Sequence, residues 1–394
     1  MSKSKYIPWY IKDKKYFQIC TKGLYDNSVP DIVFDEDGVC NYNNLITEMS
    51  EIYPGGVKGE KELQSIVDEI KKAGKGKKYD CVIGVSGGCD SSYLIYLMKE
   101  VYGLRPLAAH FDNTWNSSIA TENIRKVLTA LDVDLFTIVV DNKEYDDIYK
   151  SFIEAGVPDI EAPTDIALAA TLYKASAKYN IKYLLQGHNF RTEGNAPLGW
   201  LYMDGGYIAD VHKKFGKIKM KTYPNLWFSR FMKYILVNRI KRIRPLYYLD
   251  YNKEEVKEFL KEKFDWEWYG GHHLENRFTA FYHSYFLPRR FGIDQRVNGF
   301  NALVNNGQMD REEALKELST PPHFSDENLE YVKKRLGYSD ERFEELMNSP
   351  KKFYTDFKTY KPRFEKLRPF FYLMYKMDLV PYGFYKKYTS KNKI

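Results

Sequence analysis

The stretch VIGVSGGCDSSYLIYLM, residues 82–98, constrains the fold more than any other part of the chain. A β-branched run ends in Ser86-Gly87-Gly88, passes through Asp90-Ser91-Ser92 and turns at once into helix-forming residues. Small, flexible and polar residues therefore stand where a buried strand meets a helix N-terminus. Backbone N–H groups are unpaired at such a junction, and the helix dipole attracts an anion. The stretch predicts a phosphate cradle rather than a plain strand–turn–helix.

The same grammar recurs downstream. Strand-like CVIGV at 81–85 precedes a helix near 91–101, and LAAHFD at 107–112 precedes one near 118–131. LFTIVV at 135–140 leads to helical patterns near 143–155 and 165–179, and YLLQGH follows at 183–188. Apolar strands alternating with helices predict an α/β fold with a doubly wound parallel sheet. Ligands of such sheets sit at the carboxyl ends of the strands. SGG, HFDN and QGHN all fall there.

The flanks read differently. Residues 1–45 form a small irregular module, with a short strand at 32–34, a turn at Asp37-Gly38 and a second strand. Leu63, Ile66, Val67 and Ile70 then recur at helical spacing, and GKGKK at 74–78 ends that helix. Beyond residue 210 the pattern is helical. NKEEVKEFLKEKF at 252–264 and DREEALKEL at 310–318 each open on an N-capping Asn or Asp with acids in the first turn. The basic, aromatic C-terminus reads as a packed helix with a lysine tail.

Lys and Arg number 60 against 53 Asp and Glu, and no basic block stands out. That balance suits anionic small molecules, and no nucleic-acid partner is expected. Four cysteines, at 20, 40, 81 and 89, make no disulfide framework. The start carries no signal pattern, and no apolar run reaches the roughly 18 residues of a membrane span. A reducing cytoplasm is the expected location.

Two familiar phosphate-loop patterns are absent: no Gly-Lys-Ser/Thr occurs, and no G-x-G-x-x-G follows Val85. Ser86-Gly87-Gly88-Cys89-Asp90-Ser91-Ser92 instead resembles the SGGxDS signature of the PP-loop ATP pyrophosphatases, which cut ATP between its α- and β-phosphates. The resemblance implies ATP and Mg2+, glycines that admit the pyrophosphate, serine hydroxyls that donate to it, and an Asp90 that orients the turn or the ion. Ser86, Asp90, His188 and Glu193 are then the candidate catalytic residues. HFDNTWNS at 110–117 resembles the family's second strand end, with Thr114 where the family has Gly, and brings His110 and Asp112 to the nucleotide. GHNFRTEG at 187–194 resembles a later loop and brings Gly187, Asn189 and Thr192.

Within that superfamily the chain resembles the N-acetyl sugar amidotransferases. DIVFDEDGVCNYN, PLYYLDYNKEEV and the stretch from 269 to 315 carry the likeness. It implies conversion of an acetamido group to an acetamidino group on an anionic bacterial surface sugar, either a nucleotide-linked diacetamido uronic acid or a nonulosonic acid. Separate glutaminase and cyclase-like subunits would supply ammonia, since neither glutaminase pattern occurs in this chain. The cluster His272, His273, Glu275, Arg277, His283, Arg289, Arg290, Asp294 and Arg296 reads as the acceptor pocket, because guanidinium forks suit carboxylates and diphosphates. LPRRFGIDQR within it does not read as an amphipathic helix. The implied division is a module at 1–58, a PP-loop domain at 59–245 and an acceptor-binding region at 246–394.

The family carries two C-x-x-C pairs that suit zinc, where this chain has Phe17-x-x-Cys20 and Cys40-x-x-Asn43. Phe binds no zinc and Asn binds it poorly, so no structural zinc is expected. A tRNA-thiolating enzyme would need cysteines beyond the loop, and none follows Cys89, which reads as a small filler. A non-catalytic nucleotide-binding scaffold is the remaining rival, and the intact loop argues against it.

Overall fold

The computed structural model describes residues 5–390 apart from 14, 195, 198, 272 and 273. Five strands form one wholly parallel sheet: β1 (Cys81–Gly84), β2 (Pro106–Asp112), β3 (Leu135–Val139), β4 (Tyr183–Leu185) and β5 (Lys241–Ile243). Their order is β3-β2-β1-β4-β5. Successive strands thus run outward from β1 to β3, and the chain then crosses back to start again beside β1. The crevice between β1 and β4 is the topological switch point, where ligands of such sheets bind. The first four strands stand where the alternation of apolar runs puts them. β5, with the sequence Lys-Arg-Ile, carries too little apolar signal to be read as a strand.

Two helices precede the sheet, α1 (Asn41–Ile52) and α2 (Gly56–Gly74). Its crossovers contain α3 (Cys89–Tyr96), α4 (Ser118–Ala130), α5 (Asn142–Ala155), α6 (Ala162–Lys178), α7 (Gly205–Phe215) and α8 (Phe228–Leu236). After β5 come α9 (Lys253–Phe264), α10 (Arg277–Phe281), α11 (Arg296–Asn305) and α12 (Arg311–Leu318). The chain ends with α13 (Asp326–Leu336), α14 (Asp340–Asn348), α15 (Lys361–Lys366), α16 (Arg368–Lys376) and α17 (Tyr382–Thr389). The predicted caps act: Asn252 accepts from Glu254 N and Glu255 N, and Asp310 accepts from Glu312 N and Glu313 N. No helix among the described residues is long and apolar enough to cross a membrane.

The cores cross the divisions drawn from sequence. One sheet face packs Ile83, Val85 and Leu185 against Leu63 and Val67 of α2 and Val256 and Leu260 of α9. The other packs Val82, Leu107 and Leu184 against Leu172, Ile235, Phe364 and Phe371. Residue 59 lies inside α2, and α9 belongs to the sheet's core, so neither 58/59 nor 245/246 is a boundary of packing. A further correction concerns LPRRF, which is helical. Tyr282–Phe291 continues α10 as a wide π-helical stretch that accommodates Pro288. The expected N-terminal hairpin is a single bridge, Phe34 to Cys40, around the left-handed Gly38.

That module buries Cys20 and Cys40 together, the Cys40 N–H donating to Cys20 Sγ at 3.2 Å. The Cys40 thiol and N–H hold the Cys20 thiol below its usual range. Two thiols, with Phe17 and Asn43 at the other two motif positions, do not make a four-ligand zinc set.

Candidate active site

The turn after β1 is built by backbone geometry. Gly87 is left-handed (φ +79), and a Cβ there would lie 2.2 Å from the Ala120 carbonyl oxygen. Its own carbonyl is held from above by Trp266 Nε1 at 3.0 Å and Asn123 Nδ2 at 3.3 Å. Within the turn, the Gly88 N–H donates to Ser86 Oγ (3.3 Å), and Ser91 Oγ donates to the Gly88 carbonyl (3.1 Å). The first N–H groups of α3 beyond them have no helical partner, as at any helix start. Gly187 lets the β4 loop approach α3, since a Cβ there would sit 3.0 Å from the Asp90 backbone.

Asp90 is anchored by residues that the sequence reading passed over. Tyr251 OH donates to Asp90 Oδ1 at 2.6 Å, and Lys253 Nζ donates to Oδ2 at 2.9 Å. Lys253 is the first residue of α9, and it also faces Glu193 Oε1 at 3.7 Å. Burial opposes the Asp90 charge, but Lys253 and Tyr251 outweigh it and hold the carboxyl below the usual range. Burial likewise opposes the Lys253 charge, and Asp90 and Glu193 overcome that and hold it up. The signal was present in DYNKEEV, a capped helix start bearing a lysine. Only the fold brings it to the loop. Cys89 points to this buried side as well, 3.6 Å from Tyr251 OH, and burial pushes its thiol up to about 12. Ser92 is buried beside it.

A cavity of about 730 Å³ opens at the switch point. Of the residues singled out by sequence, Ser86, His110, His188, Glu193, Glu275 and His283 line it. His110 Nδ1 faces the Val85 carbonyl (2.8 Å), and Asn116 Nδ2 donates to its Nε2 (3.1 Å). Burial lowers its pKa, so the ring is neutral with its proton on Nδ1. Asn276 Nδ2 extends the chain to Asn113 Oδ1 and Asn116 Oδ1 at 3.0 and 3.2 Å. His188 Nδ1 meets Tyr247 OH at 3.0 Å, and its Nε2 lies 3.9 Å from Glu193 Oε2. Glu275 stands over the turn at 86–92, its Oε1 3.8 Å from where a Gly88 Cβ would be.

Several assignments are corrected. Asp112 accepts from Thr114 N at 2.8 Å and shapes its own turn. Thr114 there is left-handed (φ +64), a conformation that glycine adopts freely. Arg335 clamps it through its carbonyl and Oγ1 at 2.7 and 2.6 Å. Asn189 and Thr192 are buried within the later loop, Asn189 Oδ1 accepting from Arg191 N.

Nor do the arginines of 277–296 line the cavity. Arg277 stacks over Tyr331, and Arg289 over Tyr285 and Phe324. Arg290 is buried, donating to the Leu346 and Ser349 carbonyls and to Ser349 Oγ. Arg296 pairs with buried Asp294 at 2.7 Å. Each finds an aromatic face, a carbonyl or a carboxylate within the fold. His272 and His273 lie outside the described residues.

In place of these side chains, the cavity is lined by Arg242 and Arg244 beside β5, by Asp159, Glu161 and Asp165 before and within α6, and by Lys386 and Lys387 of α17. The C-terminal helix is therefore a wall of the cavity. Burial pushes Asp159 up to about 7 and Glu161 up to about 8.

Residues 275–368 match the family model described as "LPS biosynthesis protein WbpG-like, C-terminal domain". Over 275 residues the chain is 26% identical to an uncharacterized protein of Methanocaldococcus jannaschii, covering 68% of this chain and 82% of that one. Over 230 residues it is 28% identical to a glutamine-hydrolyzing GMP synthase of Pyrobaculum aerophilum, covering 56% of this chain and 38% of that one. Among solved structures, an NMN synthetase from Francisella tularensis matches at 14% identity and TM-score 0.30, over 72% of this chain and 95% of that one. An NH3-dependent NAD synthetase from Campylobacter jejuni matches at 14% identity and TM-score 0.31, over 75% and 98%. Superpositions this loose carry no argument.

Proposed function

We propose that this chain, whose residues 275–368 match the WbpG-like C-terminal domain, is a PP-loop ATP pyrophosphatase and an ATP-dependent amidotransferase acting on an acetamido group of an anionic sugar. One observation carries the reading. The PP-loop serine and the WbpG-like region share a single cavity, with Ser86 on one wall and Glu275, Thr279, Tyr282 and His283 on another. A pocket that couples ATP cleavage to a family-specific acceptor needs that junction.

In this reading MgATP enters with its outer phosphates at the 86–92 turn, where helix N–H groups neutralise the departing pyrophosphate. The acetamido oxygen attacks the α-phosphorus, and the bond to the β-phosphate oxygen breaks. Ammonia then adds to the acetamido carbon, and the C–O bond breaks. AMP leaves with the acetamido oxygen, and the sugar keeps an acetamidino group. The chain mainly positions the partners. His188 and Glu193, at the β4 end of the cavity, are the candidates to take the proton from ammonia. Glutaminase and cyclase-like subunits are the proposed ammonia source.

The test combines purified chain, MgATP, ammonium and a panel of nucleotide-linked diacetamido uronic acids and nonulosonic acids. AMP and pyrophosphate should appear together with a product lighter by one mass unit. Oxygen-18 placed in the acetamido group should emerge in AMP. Cleavage to ADP overturns the reading, and no pyrophosphate with any acceptor overturns it in favour of a nucleotide-binding scaffold.

A further inference from the structure

Two arginines that no sequence motif marked are placed as ligand-binding arginines are. Arg242 lies in β5 and Arg244 two residues on, so both side chains leave the same side of the chain, and both line the cavity. Arg105, Arg296, Arg335 and Arg342 each pair with a carboxylate. Among the described residues, Arg242 and Arg244 end on neutral oxygens instead. Arg242 Nε and Nη2 donate to Gln186 Oε1 at 3.2 and 2.6 Å, and Arg244 Nη1 donates to Tyr247 OH at 2.7 Å.

Arg244 Nε is buried without a hydrogen-bond partner. Tyr173, only 1% exposed in the same cavity wall, turns its hydroxyl to Arg242, which acts on it both as a charge and through a hydrogen bond. Buried polar groups in native proteins are satisfied, and those left open call for a ligand or water to complete them.

The surroundings favour an anion. Burial disfavours the charge on Asp159 and Glu161, raising them to about 7 and about 8, which reduces the negative charge on this wall of the cavity near neutrality. Of the two lysines that line the cavity, Lys386 lies 4.0 Å from Glu48 Oε2, and burial lowers the pKa of Lys387. β5 lies two strands from β1, roughly 10 Å at the usual inter-strand spacing. A ligand anchored there would reach the PP-loop across His188 and Glu193.

We propose that Arg242 and Arg244, with the Tyr173 hydroxyl, hold an anionic group of the acceptor, a sugar carboxylate or phosphate, while its acetamido group lies at the PP-loop. This rests on the acetamido-sugar reading above. The test compares wild type with Arg242→Gln, Arg244→Gln and Arg242→Lys, each first shown by circular dichroism and thermal melting to be folded. Acceptors are a nucleotide-linked diacetamido uronic acid, its neutral hexose counterpart, and each sugar freed of its nucleotide.

Losing a charge-assisted hydrogen bond should raise the acceptor KM about 10- to 100-fold, with the KM for ATP unchanged. Arg242→Lys should fall between, keeping charge without the fork. A penalty confined to the uronic acids identifies the carboxylate as the bound group, and one confined to the nucleotide-linked forms identifies the diphosphate. A rise in the KM for ATP alone, or no change, overturns the subsite and leaves the amidotransferase reading intact. If no acetamido sugar turns over, calorimetric titration of ATP-loaded protein with glucuronate, glucose 1-phosphate and glucose still decides the matter. Anion-selective binding lost in Arg242→Gln supports the subsite, and equal binding by variant and wild type, or none by wild type, refutes it.

Discussion

The turn after β1 and the segment from 270 to 300 make an instructive pair. Both carry a dense run of functional residue types, and the sequence marks both as sites. In the loop the chemistry lies in a left-handed glycine, a helix start and two hydroxyls, whose local geometry neighbours in sequence set and whose outer supports come from distant chain. In the second segment it was to lie in guanidinium groups. Arg290 and Arg296 instead hold the Leu346 and Ser349 carbonyls and Asp294, while Arg242 and Arg244 line the cavity. A turn makes its own binding surface. A charged side chain serves whatever the fold brings to it.

The sharpest way to break this contrast is at the link that lets the loop depend on distant chain. Lys253→Met leaves Asp90 buried and unpaired, so stability should fall by about 3–5 kcal/mol and turnover should be lost. Asp90→Ala should do the same from the other side, and the double variant should recover part of the stability in urea denaturation. Equal losses for single and double variants would refute the pairing. Next, Arg290→Ala should cost about 2–3 kcal/mol through its buried carbonyl partners, with kcat/KM of the folded fraction unchanged. A selective loss of acceptor binding would restore Arg290 to the site.

A smaller effect follows from Glu161. Its carboxyl keeps a proton up to about 8 in the fold, because burial disfavours its charge, against 4.5 ordinarily. The native state therefore binds the extra proton between those values. This contribution to stability falls as pH rises across that window and levels off above it. Glu161→Gln should melt increasingly above wild type as pH climbs through the window, and a constant difference would refute the shift. Smallest of all, Arg289→Ala should cost only about 0.5–1 kcal/mol, the worth of an exposed stack on Tyr285 and Phe324.

Legibility followed the range of the forces. β1 to β4 were readable because parallel strands buried on both faces show as continuous apolar runs, and the capped starts of α9 and α12 because a cap is a contact over three residues. β5 was not, since its three residues are fixed by pairing with β4 and not by their own pattern. The π-helical stretch over 282–291 was hidden by Pro288, which an α-helical interior excludes and a widened turn admits. Ser86, His110, His188 and Glu193 were legible as cavity residues because they lie on strands or in the loops after them, and Glu275 because the family resemblance marked its segment. Tyr251, Lys253 and Trp266 were not, because nothing in their neighbourhood says what they will touch.

By itself the sequence determined the alternation of strands and helices that makes the parallel sheet, and the anion-seeking turn after β1, since each arises from residues within a few positions of one another, whereas the pairing of β1 with β4 that makes the switch point does not. Tertiary structure alone decided which charges remain available. Lys253 meets Asp90 across 163 residues, and Arg290 meets its carbonyls across more than fifty. The physical reason is that an ion in the interior must find its counterpart, and packing, not spacing, brings that counterpart within reach.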